Sequence, residues 1–280
     1  MTEAYDWRGR VGDAWAEEWR RTDRTLAPVN EALVAAAAAA AGPRARILDV
    51  GCGAGATSLA LAAALADAEI VGIDLSETLV AAARERAGKL GSVRFEVADA
   101  SRWTPERAGF DLIVSRHGVM FFEEPVAAFA HLRALAGAGA RLVFSCFRSR
   151  ADNRWVTALR PIFERFAPAA LAAPDPPAGP FALADPARIE AILTGAGFAR
   201  PDIRPLDFDF VAGAGADPVA DAVGYFRRIG PFAALLRELD PRAGGAAIEA
   251  LAEVAARHRA GDQILFRAAA WIVTAKAEKS

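Results

Sequence analysis

The chain has 280 residues, of which 54% are hydrophobic and 24% are charged, so it can bury a large core in one large domain or in a domain with an elaborated cap. Its 33 basic and 35 acidic residues leave a net charge of −2, which argues against binding to nucleic acid or to an anionic membrane. The two cysteines, Cys52 and Cys146, lie far apart without metal-ligand spacing, so we expect neither a disulfide framework nor a metal site.

The N-terminal segment and the composition indicate a cytoplasmic protein of bacterial origin. The stretch MTEAYDWRGR carries charges where a secretion signal needs an apolar run. No apolar run reaches the ~20 residues that a membrane helix needs. Abundant alanine and only three lysines are typical of a GC-rich genome.

The first half of the chain alternates strand and helix patterns. Residues 10–41 have helical periodicity, and the helices TSLALAAALA, SETLVAAARERAG and EPVAAFAHLRALAG come later. Ser76 and Gly88 are the expected cap and stop of the second of these helices. Between the helices lie apolar strands: RILDV, EIVGID, VRFEVA, FDLIVS and ARLVFSCF. This alternation predicts a parallel sheet with helices on both faces.

The second half of the chain has a different character. Helical patterns cover 149–172 and 217–260, and a proline-rich loop lies at 173–181. The helix DPARIEAILTGAGF and the strands PDIRPLDFDF and QILFRAAAWIVTA complete the chain. The two helical stretches are therefore interpreted as insertions around the sheet and not as an independent domain.

A glycine-rich turn, Gly51-Cys52-Gly53-Ala54-Gly55, follows the first strand. This spacing is GxGxG, whereas the dinucleotide fingerprint is GxGxxG. Alanine is accepted at the third glycine of that fingerprint, and Ala56 stands there. The turn alone therefore leaves both NAD and S-adenosylmethionine (SAM) open as ligands.

Three aspartates at successive strand ends favour SAM. Asp49 precedes the first glycine by two residues, where its carboxylate suits a cation; SAM carries a sulfonium and an ammonium but no phosphate. Asp74 ends the second strand and can accept hydrogen bonds from ribose hydroxyls, and Asp99 follows the third strand and can accept from an adenine amino group. Ligands bind at this edge of α/β sheets.

In these motifs the sequence resembles the class I SAM-dependent methyltransferases, strongly over about residues 44–147. The motifs are ILDVGCGAG, VGIDLS, VADA and FDLIVSRHGVMFFEEP. SRHGVMFFEEP, NRW and AGPFAL are similar to a bacterial subgroup near the ubiquinone and menaquinone methyltransferases. The resemblance implies an α/β Rossmann-like fold whose seven-strand, mostly parallel sheet has its last strand antiparallel and carries helical cap insertions.

The resemblance also implies how the chain is divided into regions and which residues bind the cofactor. Residues 1–42 would form an N-terminal helical lid and 43–148 the SAM-binding core. The cap would comprise 149–184 and 212–262, and the rest of the core 185–211 and 263–280. The cofactor residues would be Asp49, Gly51, Cys52, Gly53, Gly55, Asp74, Leu75, Asp99, Ala100 and Ser115.

His117, at the end of the fourth strand, is the candidate general base, since an imidazole can take a proton from a phenol or an enol. The alternative is a packed histidine, because methyl transfer to an acidic acceptor needs positioning more than a base. Arg116 could pair with a substrate carboxylate or cap the neighbouring helix. The candidate substrate residues are Trp15, Arg116, Phe121, Trp155 and Tyr225.

The sequence therefore predicts a SAM-dependent methyltransferase that acts on oxygen or carbon of a small, aromatic or quinone-like molecule and releases S-adenosylhomocysteine (SAH). No metal, nucleic acid or membrane partner is expected, and the protein would be a monomer or a homodimer. A protein that uses SAM for other chemistry or for regulation is the alternative, and an NAD-dependent oxidoreductase is a more distant one. The sequence leaves an amine or a halide as alternative methyl acceptors.

Overall fold

A mixed β-sheet runs through the computed structural model, which describes residues 6–172 and 176–278. Its strands lie in the order β3-β2-β1-β4-β5-β8-β6; β1 to β5 are parallel, and β8 is antiparallel to β5 and β6. The strands are β1 Arg46–Val50, β2 Glu69–Asp74, β3 Val93–Val97, β4 Phe110–Arg116, β5 Ala136–Phe147, β6 Asp202–Ala214, β7 Arg259–Ala260 and β8 Gln263–Lys276. The predicted seven-strand sheet with an antiparallel last strand is confirmed, and the two-residue β7 adds a short hairpin to β8.

Helices precede the sheet, connect its strands and form the inserted segments. They are α1 Arg10–Glu17, α2 Trp19–Thr25, α3 Ala27–Ala40, α4 Ala56–Ala64, α5 Glu77–Ala87, α6 Pro125–Leu135, α7 Arg154–Thr157, α8 Arg160–Phe166, α9 Pro168–Ala172, α10 Pro186–Gly195, α11 Pro218–Phe226, α12 Pro231–Glu238 and α13 Pro241–Arg257. No described helix is long and apolar enough to cross a bilayer. The predicted loop at 173–181 lies partly outside the described residues.

The helical structure predicted over residues 10–41 is confirmed, but the structure divides it into α1, α2 and α3, and Asn30, which the sequence offers as a cap within this segment, lies inside α3. The breaks fall at Glu18 and Leu26, whose ψ angles are both 13°. Pro28 lies in the first turn of α3, where its missing N–H costs nothing. Each of the three helices can therefore lie in its own direction over the sheet.

The predicted limits of α5 are confirmed by both of its ends. The Ser76 hydroxyl accepts a hydrogen bond from the Leu79 N–H at 3.2 Å, which satisfies a free donor in the first turn. Gly88 ends the helix with φ 57°, in the left-handed region where glycine has no steric penalty. Because the helix begins so soon after β2, Asp74 lies directly beneath its N-terminus.

Two apolar layers cover the sheet and fix its orientation. Ile47 packs with Leu33 of α3 and Leu61 of α4 on one face, whereas Leu48 packs with Phe129 of α6 on the other. Successive side chains of a strand point to opposite faces, so a strand buried on both sides is apolar throughout. The carboxyl ends of the parallel strands are left to carry polar residues.

Candidate active site

The glycine turn forms a tight loop at the carboxyl end of β1. Gly51, Gly53 and Gly55 have φ angles of 66°, 54° and 83°, a backbone region that favours glycine over residues with a side chain. The N–H groups of Gly51 and Cys52 both donate to the Ile73 carbonyl oxygen, at 2.9 and 3.0 Å. The loop is therefore held against the end of β2, one residue before Asp74.

The turn after β4 lies directly against this loop. A Cβ atom on Gly118 would be 2.8 Å from the Val50 carbonyl oxygen and 3.1 Å from the Gly51 Cα, so a side chain does not fit there. The Ser115 hydroxyl donates to the Val50 carbonyl oxygen at 2.7 Å and accepts from the Gly118 N–H at 3.2 Å. Ser115 thus ties β4 to the loop from a fully buried position, and its contact with the cofactor stays a prediction.

Asp49 is fully buried beneath the loop and keeps one oxygen without a partner. Its Oδ2 accepts from the Ser58 hydroxyl at 2.6 Å, whereas Oδ1 makes no hydrogen bond. Burial raises the pKa of Asp49 to about 6, against the opposing effects of Ser58 and Arg116. A cation placed beside Oδ1 would compensate this buried charge.

Asp74 ends β2 and organises the loop with both carboxylate oxygens. Oδ2 accepts from the Gly53 N–H at 2.9 Å and Oδ1 from the Ser76 N–H at 3.0 Å. Burial raises its pKa, and these backbone donors oppose the rise. Because each carboxylate oxygen can accept more than one hydrogen bond, both remain able to accept from ribose hydroxyls. Leu75 follows as a half-buried neighbour.

Asp99 lies at the third strand end, in a more polar setting. Its Oδ1 accepts from the N–H and the hydroxyl of Ser101 at 3.1 and 2.7 Å, and its Oδ2 pairs with Arg102 at 3.0 Å. Burial opposes its ionisation, but Ser101 and the charges of Arg102 and Arg8 outweigh burial and lower its pKa. An adenine amino group would have to share this carboxylate with the arginines. Ala100, next in the chain, is half-buried.

His117 has a strained backbone and a fixed ring. Its φ is 62°, and its Nδ1 lies 2.7 Å from the Ser145 hydroxyl oxygen, while its Nε2 is buried without a hydrogen bond. Burial, with a smaller effect of Arg116, lowers the pKa of His117 to about 3. The ring is therefore neutral at physiological pH and is a weak base in this closed site, where Nε2 can still accept a hydrogen bond from a hydroxyl.

An ionic cluster joins α2, α5 and the end of β4. Asp23 of α2 accepts from Arg86 Nη2 at 2.8 Å and from Arg116 Nη2 at 3.1 Å. Arg86 also donates to the Ala54 carbonyl oxygen of the loop at 2.6 Å and stacks over the Trp19 ring. Arg116 therefore does not cap a helix but pairs across the site, and its Nη1 is buried without a hydrogen bond.

The N-terminal segment covers the edge that carries these residues. Gly12 of α1 packs so closely that a Cβ would lie 2.5 Å from the Ser76 hydroxyl oxygen, and Arg8 lies 4.0 Å from Asp99. The Trp7 indole nitrogen is buried without a hydrogen bond. The strand ends on this side are therefore covered by α1 and the residues just before it.

The candidate substrate aromatics fall into two groups. Trp15 and Phe121 both contact the ring of Trp7, with centroids 5.5 and 4.9 Å away. Trp155 and Tyr225 belong to a row of rings that begins at His117 and includes Phe147, Trp155, Phe210, Tyr225 and Phe226. Trp15 and Phe121 therefore lie under the N-terminal segment, whereas Trp155 and Tyr225 belong to the row that starts at His117, the candidate base.

Sequence reasoning missed the residues that hold these candidates in place. Asp23 and Ser145 have no motif around them, because their role depends on partners 93 and 28 residues away. Asn153 accepts from the Trp155 indole N–H at 3.1 Å and from the Ala269 N–H at 3.1 Å. The NRW motif could have indicated the role of Asn153, since a buried tryptophan needs a hydrogen-bond partner for its indole N–H.

The residues at this edge fit SAM. The free Oδ1 of Asp49 suits a cation, the space beside Gly53 is open, and Asp74 and Asp99 keep carboxylate oxygens for a nucleoside. Among the residues that the structure describes, no three His, Cys, Asp or Glu side chains meet as they would around a metal ion.

Comparison with known proteins agrees with this geometry. Residues 47–139 match the family model for a methyltransferase domain, and no curated protein matches the chain. Among solved structures, the YcgJ protein of Bacillus subtilis has 16% identity and a TM-score of 0.54, with 90% of this chain and 98% of that chain covered. The [4+2]-cyclase SpnF has 21% identity and a TM-score of 0.52, with 91% and 82% covered.

A third similar structure contains two bound small molecules. Phosphoethanolamine N-methyltransferase 2 of Haemonchus contortus, in complex with phosphomonomethylethanolamine and SAH, has 16% identity and a TM-score of 0.55. The alignment covers 95% of this chain and 57% of that one. At such identities these structures support the fold, while the family match covers the loop and the acids. Together they show the Rossmann-like fold of a methyltransferase, with a methyltransferase-domain match over residues 47–139.

Proposed function

We propose that this protein transfers a methyl group from SAM to oxygen or carbon of a small aromatic or quinone-like molecule. The observation that carries this proposal is the row of rings that begins at His117, next to the glycine loop. Phe147 lies edge-on to the His117 ring with centroids 4.2 Å apart, and Trp155 stacks on Phe210 at 5.1 Å. Such a row of rings suits the binding of a flat, apolar acceptor. The subgroup resemblance to quinone methyltransferases points to the same class of molecule.

SAM, when bound, supplies a methyl group on a sulfonium, which is a good leaving group. The chain would contribute alignment and exclusion of water, which are the main requirements of an in-line displacement. Neutral His117 would accept a hydrogen bond from the acceptor hydroxyl through Nε2, while Ser145 holds Nδ1. Because its pKa is about 3, His117 would orient the hydroxyl more than remove its proton.

The N-terminal helices would act as the lid of this site. Asp221 of α11 accepts from Arg21 at 2.7 Å and pairs with Arg24 at 2.8 Å, and Thr25 donates to the Val211 carbonyl oxygen at 3.0 Å. Asp23 adds the pairs with the two core arginines. These contacts fasten α2 to cap and core alike. Opening would therefore occur mainly at α1 and the residues just before it, where Glu17 pairs with Arg228 of the cap and Arg8 lies 4.0 Å from Asp99.

Binding and turnover test the proposal separately. Isothermal titration should detect SAM and SAH but not NADH, and methyl-labelled SAM should label phenols or hydroquinones as SAH forms. Labelled amines with unlabelled phenols would contradict the acceptor class. The same fold also occurs in a [4+2]-cyclase, so SAM binding without SAH formation from any acceptor would favour non-transfer chemistry.

A further inference from the structure

Arg116 has a buried donor that no group of the protein satisfies. Its side chain is 12% exposed, and Nη2 is occupied by Asp23, whereas Nη1 is buried and makes no hydrogen bond. A buried charged donor without a partner is costly, and such groups normally meet an acceptor. The Nε2 of His117, the next residue, is a second buried polar atom without a partner.

The ion pairs around Arg116 leave one of its donors unused. Asp23 is shared between Arg86 and Arg116, and all three side chains are at most 22% exposed. Arg86 uses its other nitrogen on the Ala54 carbonyl oxygen. The charge of Arg116 also opposes the rise in the pKa of Asp49 caused by burial, so the Asp49 carboxylate is a further counter-charge nearby. Within this cluster Arg116 is the member with a buried donor that makes no hydrogen bond.

Arg116 ends β4 and directly precedes His117, the residue that begins the row of rings. Arg86, by contrast, contacts the glycine loop through Ala54. An anion at Arg116 Nη1 would therefore stand at the carboxyl end of β4, near the start of the row of rings.

We propose that Arg116 binds a negatively charged group of the methyl acceptor, so that the acceptors are apolar acids, either aromatic carboxylates or ionised enols. This inference rests on the proposed function, because it names the class of acceptor at the same site. Neutral molecules of the same shape would leave Nη1 unpaired and would bind less tightly. The carboxylate of SAM is the other source of the same chemistry, and the experiment separates the two.

The test compares 2-naphthoate with 2-naphthamide, two probes of one shape that differ in charge. Isothermal titration first measures SAH binding, and then each probe at saturating SAH. We expect wild-type protein to bind the naphthoate at least tenfold more tightly. Arg116→Gln should remove this preference and leave SAH affinity within twofold. The matched control is Arg160→Gln, at an exposed arginine of α8, which should keep the preference.

Each result has one meaning. Equal binding of both probes by wild type, or a preference that survives in Arg116→Gln, would overturn the inference. A tenfold loss of SAH affinity in Arg116→Gln would assign the anion to the cofactor and would also overturn it. If the variant does not fold, the wild-type probe comparison still decides. Failure of the proposed function would be seen separately in the turnover assay, as wild-type protein that forms no SAH from SAM with any phenol or hydroquinone.

Discussion

Replacing His117 by asparagine should make the protein less sensitive to mild acid. His117 is buried and neutral, with a pKa of about 3 against the ordinary 6.5. As pH falls below 6.5, the unfolded chain takes up a proton that the folded chain refuses, so the free energy of unfolding falls. Asparagine does not titrate and tolerates the left-handed backbone at this position, where φ is 62°.

The size of this change in the free energy of unfolding follows from the pKa of His117 in the folded chain and its ordinary pKa in the unfolded chain. Between pH 7.5 and pH 5.0 the unfolded state gains most of one proton, which lowers the free energy of unfolding by ~2 kcal/mol. Asp49 acts in the opposite direction, because burial raises its pKa from 3.8 to about 6. Its folded form binds the proton first, which raises the free energy of unfolding by ~1 kcal/mol over the same range.

The two contributions oppose each other in the wild-type protein, and single variants separate them. Urea unfolding at pH 7.5 and pH 5.0 gives the change in unfolding free energy for each protein. Relative to wild type, His117→Asn should gain ~2 kcal/mol at the lower pH, and Asp49→Asn should lose ~1 kcal/mol. If both variants change with pH as the wild type does, the buried pKa values of these two residues are wrong.

Three further predictions concern the loop, the lid and the cap. Asp74→Ala should weaken SAM binding at least ~10-fold, since two charge-assisted hydrogen bonds are lost; an unchanged Kd would contradict the ribose assignment. Gly12→Ala should speed SAH dissociation in stopped flow, because its Cβ would lie 2.5 Å from the Ser76 hydroxyl oxygen; the control is Gly42→Ala, at an open position, and equal rates in both variants would refute the lid. Asn153→Ala should lower the free energy of unfolding in urea by ~3 kcal/mol, because two buried N–H groups lose their acceptor; no loss would show that they find other partners.

The sequence by itself determined the sheet and the cofactor loop. Strand and helix periods, the caps of α5 and the glycine turn are local signals, each readable within about ten residues. Asp49, Asp74 and Asp99 follow from the same logic, since the carboxyl ends of parallel strands meet at one edge. The breaks in the N-terminal helix were missed, because neither Glu18 nor Leu26 is a residue type that marks the end of a helix.

Only the tertiary structure decided what the polar residues at that edge can do. His117 is a natural base in the sequence, but burial against Phe147 and the charge of Arg116 make it neutral and weak. Asp23 lies in an unremarkable helical stretch, yet it pairs with arginines 63 and 93 residues away. Desolvation and ion pairing depend on which distant segments pack together, and no local pattern in a single sequence encodes that.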